Sequence, residues 1–212
     1  MFTGLVEEVG ALRALRSGAG NATLDVAARM VLDRLAVGDS VLTDGVCLTV
    51  TAVRADGFAA DVMPETVRRT TLCERRPGDR LNLERALTLQ APLGGHLVSG
   101  HVDGVGVVER VAPEGNALVV DVDAPEAVAR FAVPQGSIAL DGVSLTVVAV
   151  DGNVLRVSLI PHTAATTTLS KLARGTRVNL EADLIAKYVQ AFVGRRKPPD
   201  GLTWEKLAEE GF

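Results

Sequence analysis

The sequence predicts an all-β fold in which two similar small antiparallel barrels follow one another and an α-helix closes the chain. Three observations carry that reading. The heptapeptide Asp44–Val50, Asp-Gly-Val-Cys-Leu-Thr-Val, returns at Asp141–Val147 as Asp-Gly-Val-Ser-Leu-Thr-Val, so the protein is built twice. Within each copy short runs of Val, Leu and Thr alternate and are broken by turn signals about every ten residues, the pattern of small antiparallel barrels. Near the end, Leu184, Ile185, Tyr188, Val189, Phe192 and Val193 recur at threes and fours, the period of an amphipathic helix.

The repeat holds over most of its length. A constant offset of 97 residues carries Gly45 to Gly142, Ser40 to Ser137, Pro64 to Pro161, Thr66 to Thr163, Gly78 to Gly175, and Asn82-Leu83-Glu84 to Asn179-Leu180-Glu181. At the front it slips by one, laying Thr3-Gly4-Leu5-Val6 over Ser99-Gly100-His101-Val102, so each copy is expected to open on a similar strand. The Asp-Gly pairs read as tight turns in which Gly45 and Gly142 accept positive φ. Val46, Leu48 and Val50 then face one way and Cys47 and Thr49 the other, with Ser144 and Thr146 on the same polar side of the second copy. Helices are expected over Ala28–Leu35 and Pro125–Phe131. Further helical turns should start at Pro64 and Pro161, because proline is accepted in a helix's first turn. The terminal helix has no counterpart in the first copy, where Leu87 runs on into the Leu93-Gly94-Gly95 linker. Pro198 and Pro199 should end it, and Thr203–Glu210 reads as a last exposed helix with Thr203 as N-cap. These signals divide the chain into 1–93, 94–183 and 184–212.

Composition narrows the function. With 212 residues, 47% of them hydrophobic, the chain can bury one large core or two of about 100 residues each, and the repeat selects two. A net charge of −4 with scattered arginines offers no footprint for nucleic acid. No apolar run approaches the roughly 20 residues that span a bilayer, and Met1–Glu8 lacks the features of a signal peptide, so a cytoplasmic protein is expected. Cys47 and Cys73 lie in one copy only, opposite Ser144 and Ser170, which argues against an essential disulfide.

Candidate chemistry lies where the copies differ. His96 and His101 stand five residues apart, on opposite faces of a strand, and no third ligand of suitable spacing appears, so no metal is expected. His96 reads either as a loop histidine satisfied by backbone or as a site residue. His101 replaces Leu5, and Asp183 replaces Ala86, so the second copy gains two ionisable groups. Asp183 also precedes the terminal helix and equally reads as its cap. Cys47 is either a small buried hydrophobe or part of a polar lining with Ser144 and Thr146. Neither a nucleotide-binding glycine loop nor a Gly-x-Ser-x-Gly elbow is present.

Met1-Phe2-Thr3-Gly4, Asp44–Val50, the turns Met63-Pro64-Glu65-Thr66 and Ile160-Pro161-His162-Thr163, and Gly94-Gly95-His96 through Asp103 together resemble the riboflavin synthase alpha-subunit family, over about residues 1 to 190. The resemblance implies two six-stranded antiparallel Greek-key barrels and a homotrimer held by the C-terminal helices, with possible association with lumazine synthase as a further partner. It implies dismutation of two 6,7-dimethyl-8-ribityllumazine molecules by four-carbon transfer, giving riboflavin and 5-amino-6-(D-ribitylamino)uracil. No cofactor is implied, because the C7 methyl of such a lumazine is acidic and the substrate supplies the electrons. The resemblance also implies one pocket from Gly4, Leu5 and Val6, then Cys47, Leu48 and Thr49, then Asp61, Val62, Met63, Pro64, Glu65 and Thr66. A second would use Gly100, His101 and Val102, then Gln135, Ser144, Leu145 and Thr146, then Leu159, Ile160, Pro161, His162, Thr163 and Ala164. The reaction site would join the first barrel of one subunit to the second barrel of its neighbour. Phe2, Ser40, Cys47, His96, His101, Ser144, Thr146 and Asp183 match its functional positions, with His101, Ser144 and Asp183 expected to move protons and Ser40 and Cys47 to support the acceptor molecule. Val46 and His162 depart from the family pattern, where some members carry a second cysteine and a glutamate. A non-catalytic lumazine or flavin carrier of the antenna kind is the alternative on the same fold, and a flavin reductase domain is disfavoured by the absence of a dinucleotide-binding half.

Overall fold

Alternating residues become two closed barrels. The computed structural model describes residues 1–17, 22–194 and 208; the expected Pro198–Pro199 stop and the helix over Thr203–Glu210 fall outside it, Ala208 apart. The first barrel contains β1 (Glu8–Ser17), β2 (Ala22–Ala27), β3 (Ser40–Thr43), β4 (Val46–Arg54), β5 (Gly57–Val62) and β6 (Arg80–Arg85), with α1 (Pro64–Arg69) between the last two. The second contains β7 (Gly104–Glu114), β8 (Ala117–Asp123), β9 (Ser137–Leu140), β10 (Val143–Asp151), β11 (Val154–Leu159) and β12 (Arg177–Ala182). Short helices α2 (Glu126–Ala129) and α3 (Pro161–Thr166) interrupt it, and α4 (Leu184–Gly194) follows. Going round each barrel the order is β1-β2-β5-β4-β3-β6 and β7-β8-β11-β10-β9-β12, antiparallel throughout, which is the same Greek-key path twice.

The Asp-Gly pairs are two-residue hairpin turns with both central residues at positive φ: 45° and 81° at Asp44 and Gly45, 42° and 79° at Asp141 and Gly142. That geometry matches the twist of the flanking strands and favours Asp-Gly. It sets the register Thr43↔Val46 and Leu140↔Val143. Val46, Leu48 and Val50 are buried, and Thr49 and Thr146 are exposed, as the alternation requires. Each barrel has its own core, around Leu24, Phe58 and Leu81 in one and Val120, Leu155 and Leu180 in the other. A third small cluster of Phe2, Leu42, Val98 and Ala139 bridges them.

The two turns meet in a seam between the barrels that obeys the repeat. Asn82 donates from its backbone to Asp44 (2.8 Å) and from Nδ2 to the Asp141 carbonyl (3.0 Å); Asn179 donates likewise to Asp141 (2.7 Å) and to the Asp44 carbonyl (2.8 Å). Their amide oxygens accept the backbone N–H of Thr168 and Thr71 in the opposite barrel, both at 2.8 Å. Symmetry fails at one residue. Arg75 reaches both carboxylates, 2.8 Å from Asp44 and 3.4 Å from Asp141, whereas its repeat position in the second copy is Leu172, packed on that barrel's core. Two buried carboxylates therefore share one cation.

Three expectations are corrected. Ala28–Leu35 forms only a 3-10 turn, Met30–Leu32. The Glu8 carboxylate holds the N–H groups of Arg29, Met30 and Val31 at 2.7 to 3.1 Å, and Arg34 adopts a φ of 60°, which stops helical propagation. Pro125–Phe131 shrinks to the four residues of α2, with Arg130 and Phe131 in a turn. The opening segments of the copies are not barrel strands either. Gly4 and Gly100 have φ of 76° and 81°, outside the range of an extended strand, and Phe2 and Val98 pair only with each other as an isolated bridge. No helix among the described residues is long and apolar enough to cross a membrane.

Candidate functional site

The opening segments cross over. Gly4, which begins the first copy, gives its carbonyl to the Ser144 N–H of β10 at 2.8 Å, and Gly100, which begins the second, gives its carbonyl to the Cys47 N–H of β4 at 2.9 Å. A Cβ on Gly4 would come within 2.6 Å of Ser144 Cβ, and one on Gly100 within 2.5 Å of Cys47 Cβ, so the approach requires glycine at both places. Val6 packs on the second core and Val102 on the first. The grouping implied by resemblance is thereby exchanged: Gly4, Leu5 and Val6 stand with Ser144, Leu145 and Thr146, and Gly100, His101 and Val102 stand with Cys47, Leu48 and Thr49.

Adjacent strands complete each grouping. β4 and β5 pair Thr49 with Asp61, which leads to Val62, Met63 and α1. The second barrel repeats this with Leu159, Ile160 and α3. Neither α1 nor α3 has a side-chain cap, so the first-turn N–H groups near Glu65 and Thr66, and near His162 and Thr163, lack an intrahelical partner and can donate to a ligand carbonyl. Met63 and Ile160 are 65% and 59% exposed and form apolar rims. Gln135 lies on the exposed turn before β9, its φ of 67° fixed by an N–H bond to the Val147 carbonyl. Ser40 lines a cavity of about 780 Å³ at the end of the first barrel, with Leu5, Ala86 and Thr88.

Within one chain His101 does not join Ser144 and Asp183. Ser144 Oγ lies 2.7 Å from Nδ1 of His96 instead. His96 is 8% exposed, its backbone N–H binds the Thr3 carbonyl at 3.1 Å, and Nε2 is buried without a hydrogen-bond partner among the described residues. Burial holds the imidazole pKa below its ordinary value, and the Asp183 charge opposes that shift. Asp183 also caps α4, with Oδ1 accepting the Ile185 N–H at 2.9 Å, as the cap reading expects. His101 is exposed on the Cys47 side, its backbone N–H donating to Ser99 Oγ at 3.2 Å. The crossover separates it from Ser144. Cys47 is half-buried against the bridging cluster that contains Phe2.

Sequence reasoning missed Glu84 and Glu181 as site residues. Glu84 Oε1 accepts the Thr3 N–H (2.6 Å) and hydroxyl (2.7 Å), and Oε2 accepts the Gly4 N–H (3.0 Å). Glu181 holds Ser99 and Gly100 through the same three bonds at 2.7, 2.7 and 2.9 Å. The signal was their exact place in the repeated Asn-Leu-Glu, paired with the repeated Thr/Ser-Gly.

Two barrels, each setting an uncapped helical turn beside a polar strand face, define a tandem-barrel protein with two similar candidate binding surfaces. The lumazine binding domain family matches residues 3–86 and 99–183, one match per barrel, and the chain belongs to that family. It is 39% identical to the riboflavin synthase of Actinobacillus pleuropneumoniae and 38% identical to that of Bacillus subtilis, in each case over 100% of both chains. It is 48% identical to that of Mycobacterium bovis over 90% of this chain and 96% of the relative. Among solved structures, LumP complexed with riboflavin superposes with a TM-score of 0.80, and LumP complexed with 6,7-dimethyl-8-(1'-D-ribityl) lumazine with 0.78. Both share 23% identity and cover 86% of this chain and 99% of LumP, a likeness of fold. Within the lumazine-binding family the chain sits with the riboflavin synthases and is a transferase-type enzyme.

Proposed function

We propose that the protein is a riboflavin synthase that dismutates two 6,7-dimethyl-8-ribityllumazine molecules, one giving four carbons to the other, to yield riboflavin and 5-amino-6-(D-ribitylamino)uracil. The observation that carries this reading is the inequality of the two groupings: the second holds a buried His96 hydrogen-bonded to Ser144, and the first holds Cys47 beside Gly100. Two similar sites suit two copies of one substrate, and holding the rings together supplies rate by proximity. One lumazine must lose a C7 methyl proton. His96, kept neutral by burial, accepts it through the Ser144 hydroxyl, which donates to Nδ1; the proton returns as the four-carbon unit leaves its donor. Cys47, Ser40 and His101 belong to the side that holds the acceptor molecule.

The α4 stripe supports a homotrimer in which the first barrel of one subunit faces the second barrel of its neighbour. Ile185, Tyr188, Val189, Phe192 and Val193 are each 55 to 66% exposed, an apolar face left uncovered by the described residues. Incubation of the purified protein with the lumazine alone tests the function. Riboflavin and the pyrimidinedione should appear in equal amounts, whereas tight binding without product would favour a non-catalytic lumazine or flavin carrier on the same fold.

A further inference from the structure

The reactive pair hangs on one dipeptide. His96 gives its backbone N–H to the Thr3 carbonyl and Ser144 gives its N–H to the Gly4 carbonyl, so the two backbones are tied to successive peptide units of the opening segment. The N–H groups of the same two residues, Thr3 and Gly4, with the Thr3 hydroxyl, are held by a single carboxylate, Glu84, on β6 of the other barrel. Glu84 is 4% exposed; burial raises its carboxyl above the usual range, these hydrogen bonds oppose that shift, and it makes no salt bridge among the described residues. A carboxylate buried on donors alone fixes the orientation of what it binds, because any rotation of the dipeptide strands charge.

Its mirror does less. Glu181 clamps Ser99 and Gly100, and the Gly100 carbonyl takes the Cys47 N–H, but the second clamp holds no histidine, because nothing in the first copy corresponds to His96. Two nearly identical clamps thus differ in one respect, and the molecule carries its own control.

We infer that Glu84 is a positioning residue that sets the His96–Ser144 hydrogen bond of the second barrel from the first barrel, through Thr3 and Gly4. This rests on the reading of His96 and Ser144 as the proton-transferring pair. Glu84→Gln keeps one carbonyl oxygen but turns an amide N–H toward an N–H donor, so the dipeptide must reorient. Thr3→Val removes one donor and is the milder variant if the first fails to fold.

The test compares Glu84→Gln, Thr3→Val and Glu181→Gln in the full chain. His96 ring nitrogens are followed by long-range proton–nitrogen NMR across pH, and riboflavin formation by steady-state kinetics. Glu84→Gln should move the His96 tautomer signals and titration and lower kcat at least about 10-fold with KM changed less than about 3-fold, Thr3→Val should move them the same way by less, and Glu181→Gln should leave the His96 signals at their wild-type positions. Folded Glu84→Gln and Thr3→Val with wild-type His96 signals, or Glu181→Gln shifting His96 as strongly, would overturn the inference. If the unmodified protein makes no riboflavin while Glu84→Gln alone still moves His96, the proposed function fails and the positioning role stands.

Discussion

Asp141→Asn is expected to stabilise the protein at pH 8 and to change it little at pH 5. Burial pushes both seam carboxyls up, Asp44 to about 6 and Asp141 to about 8, because Arg75 neutralises only one of them. An acid whose folded pKa is raised binds its proton more tightly in the native state, so stability falls as pH climbs from the unfolded value near 3.9 toward the folded one. Each unit in that window costs about 1.4 kcal/mol, and the three units between pH 5 and pH 8 set a ceiling of about 4 kcal/mol. Relaxation of the pair around Arg75 reduces this, and Asn forgoes part of the bond to the Asn179 N–H, about 1 kcal/mol, leaving a gain of about 2 kcal/mol at pH 8. Arg75→Leu, which makes the first copy match the second at this position, should do the opposite, costing about 3 to 5 kcal/mol at pH 8 and less at pH 5, where carboxyls are protonated. Urea denaturation midpoints at the two pH values read both effects. If Asp141→Asn loses the same stability at pH 5 and pH 8, Asp141 is an ionised partner of Arg75 and the one-proton reasoning is wrong.

Three further outcomes are expected. Ser144→Ala and His96→Gln should lower turnover roughly 10- to 1000-fold with lumazine affinity nearly kept; in the parent enzyme kcat should rise through a pKa below 6.5 as His96 loses its proton, and His96→Gln should flatten that limb of the pH profile. Gly4→Ala places a Cβ 2.6 Å from Ser144 Cβ in a backbone at φ 76°, so melting temperature and activity should fall together, by contrast with Gly38→Ala, which meets nothing within 4 Å and should lose stability alone. Removal of the residues after Asp183 should give monomers in analytical ultracentrifugation; an unchanged assembly would mean that the exposed face of α4 is not the clamp.

Much of the barrel architecture could be read in one dimension, because its causes are local. The Asp-Gly turns need positive φ, β4 and β10 alternate with the pleat, and the stripe on α4 repeats with the helical turn. The duplicated heptapeptide settled that there are two barrels. Length of helix was less legible: Ala28–Leu35 carries helical spacing, and a carboxylate from β1 captured its N–H groups instead.

The candidate site depended on tertiary contacts. Its residue types were visible where Ser144 faces Cys47, His101 faces Leu5 and Asp183 faces Ala86 across the repeat. Period-2 patterning assigns a residue to a face of its own strand and carries no information about which barrel an opening segment will join. That choice falls to buried hydrogen bonds more than 80 residues apart in sequence, Glu84 to Thr3 and Glu181 to Ser99, and to glycines small enough for backbones to touch. Hence His96, readable beforehand as a loop residue, became the partner of Ser144, while His101 went to the other barrel. Local geometry and hydrophobic period determine the barrels; unsatisfied donors seeking a buried acceptor decide how the two barrels exchange their ends, and with that which side chains meet.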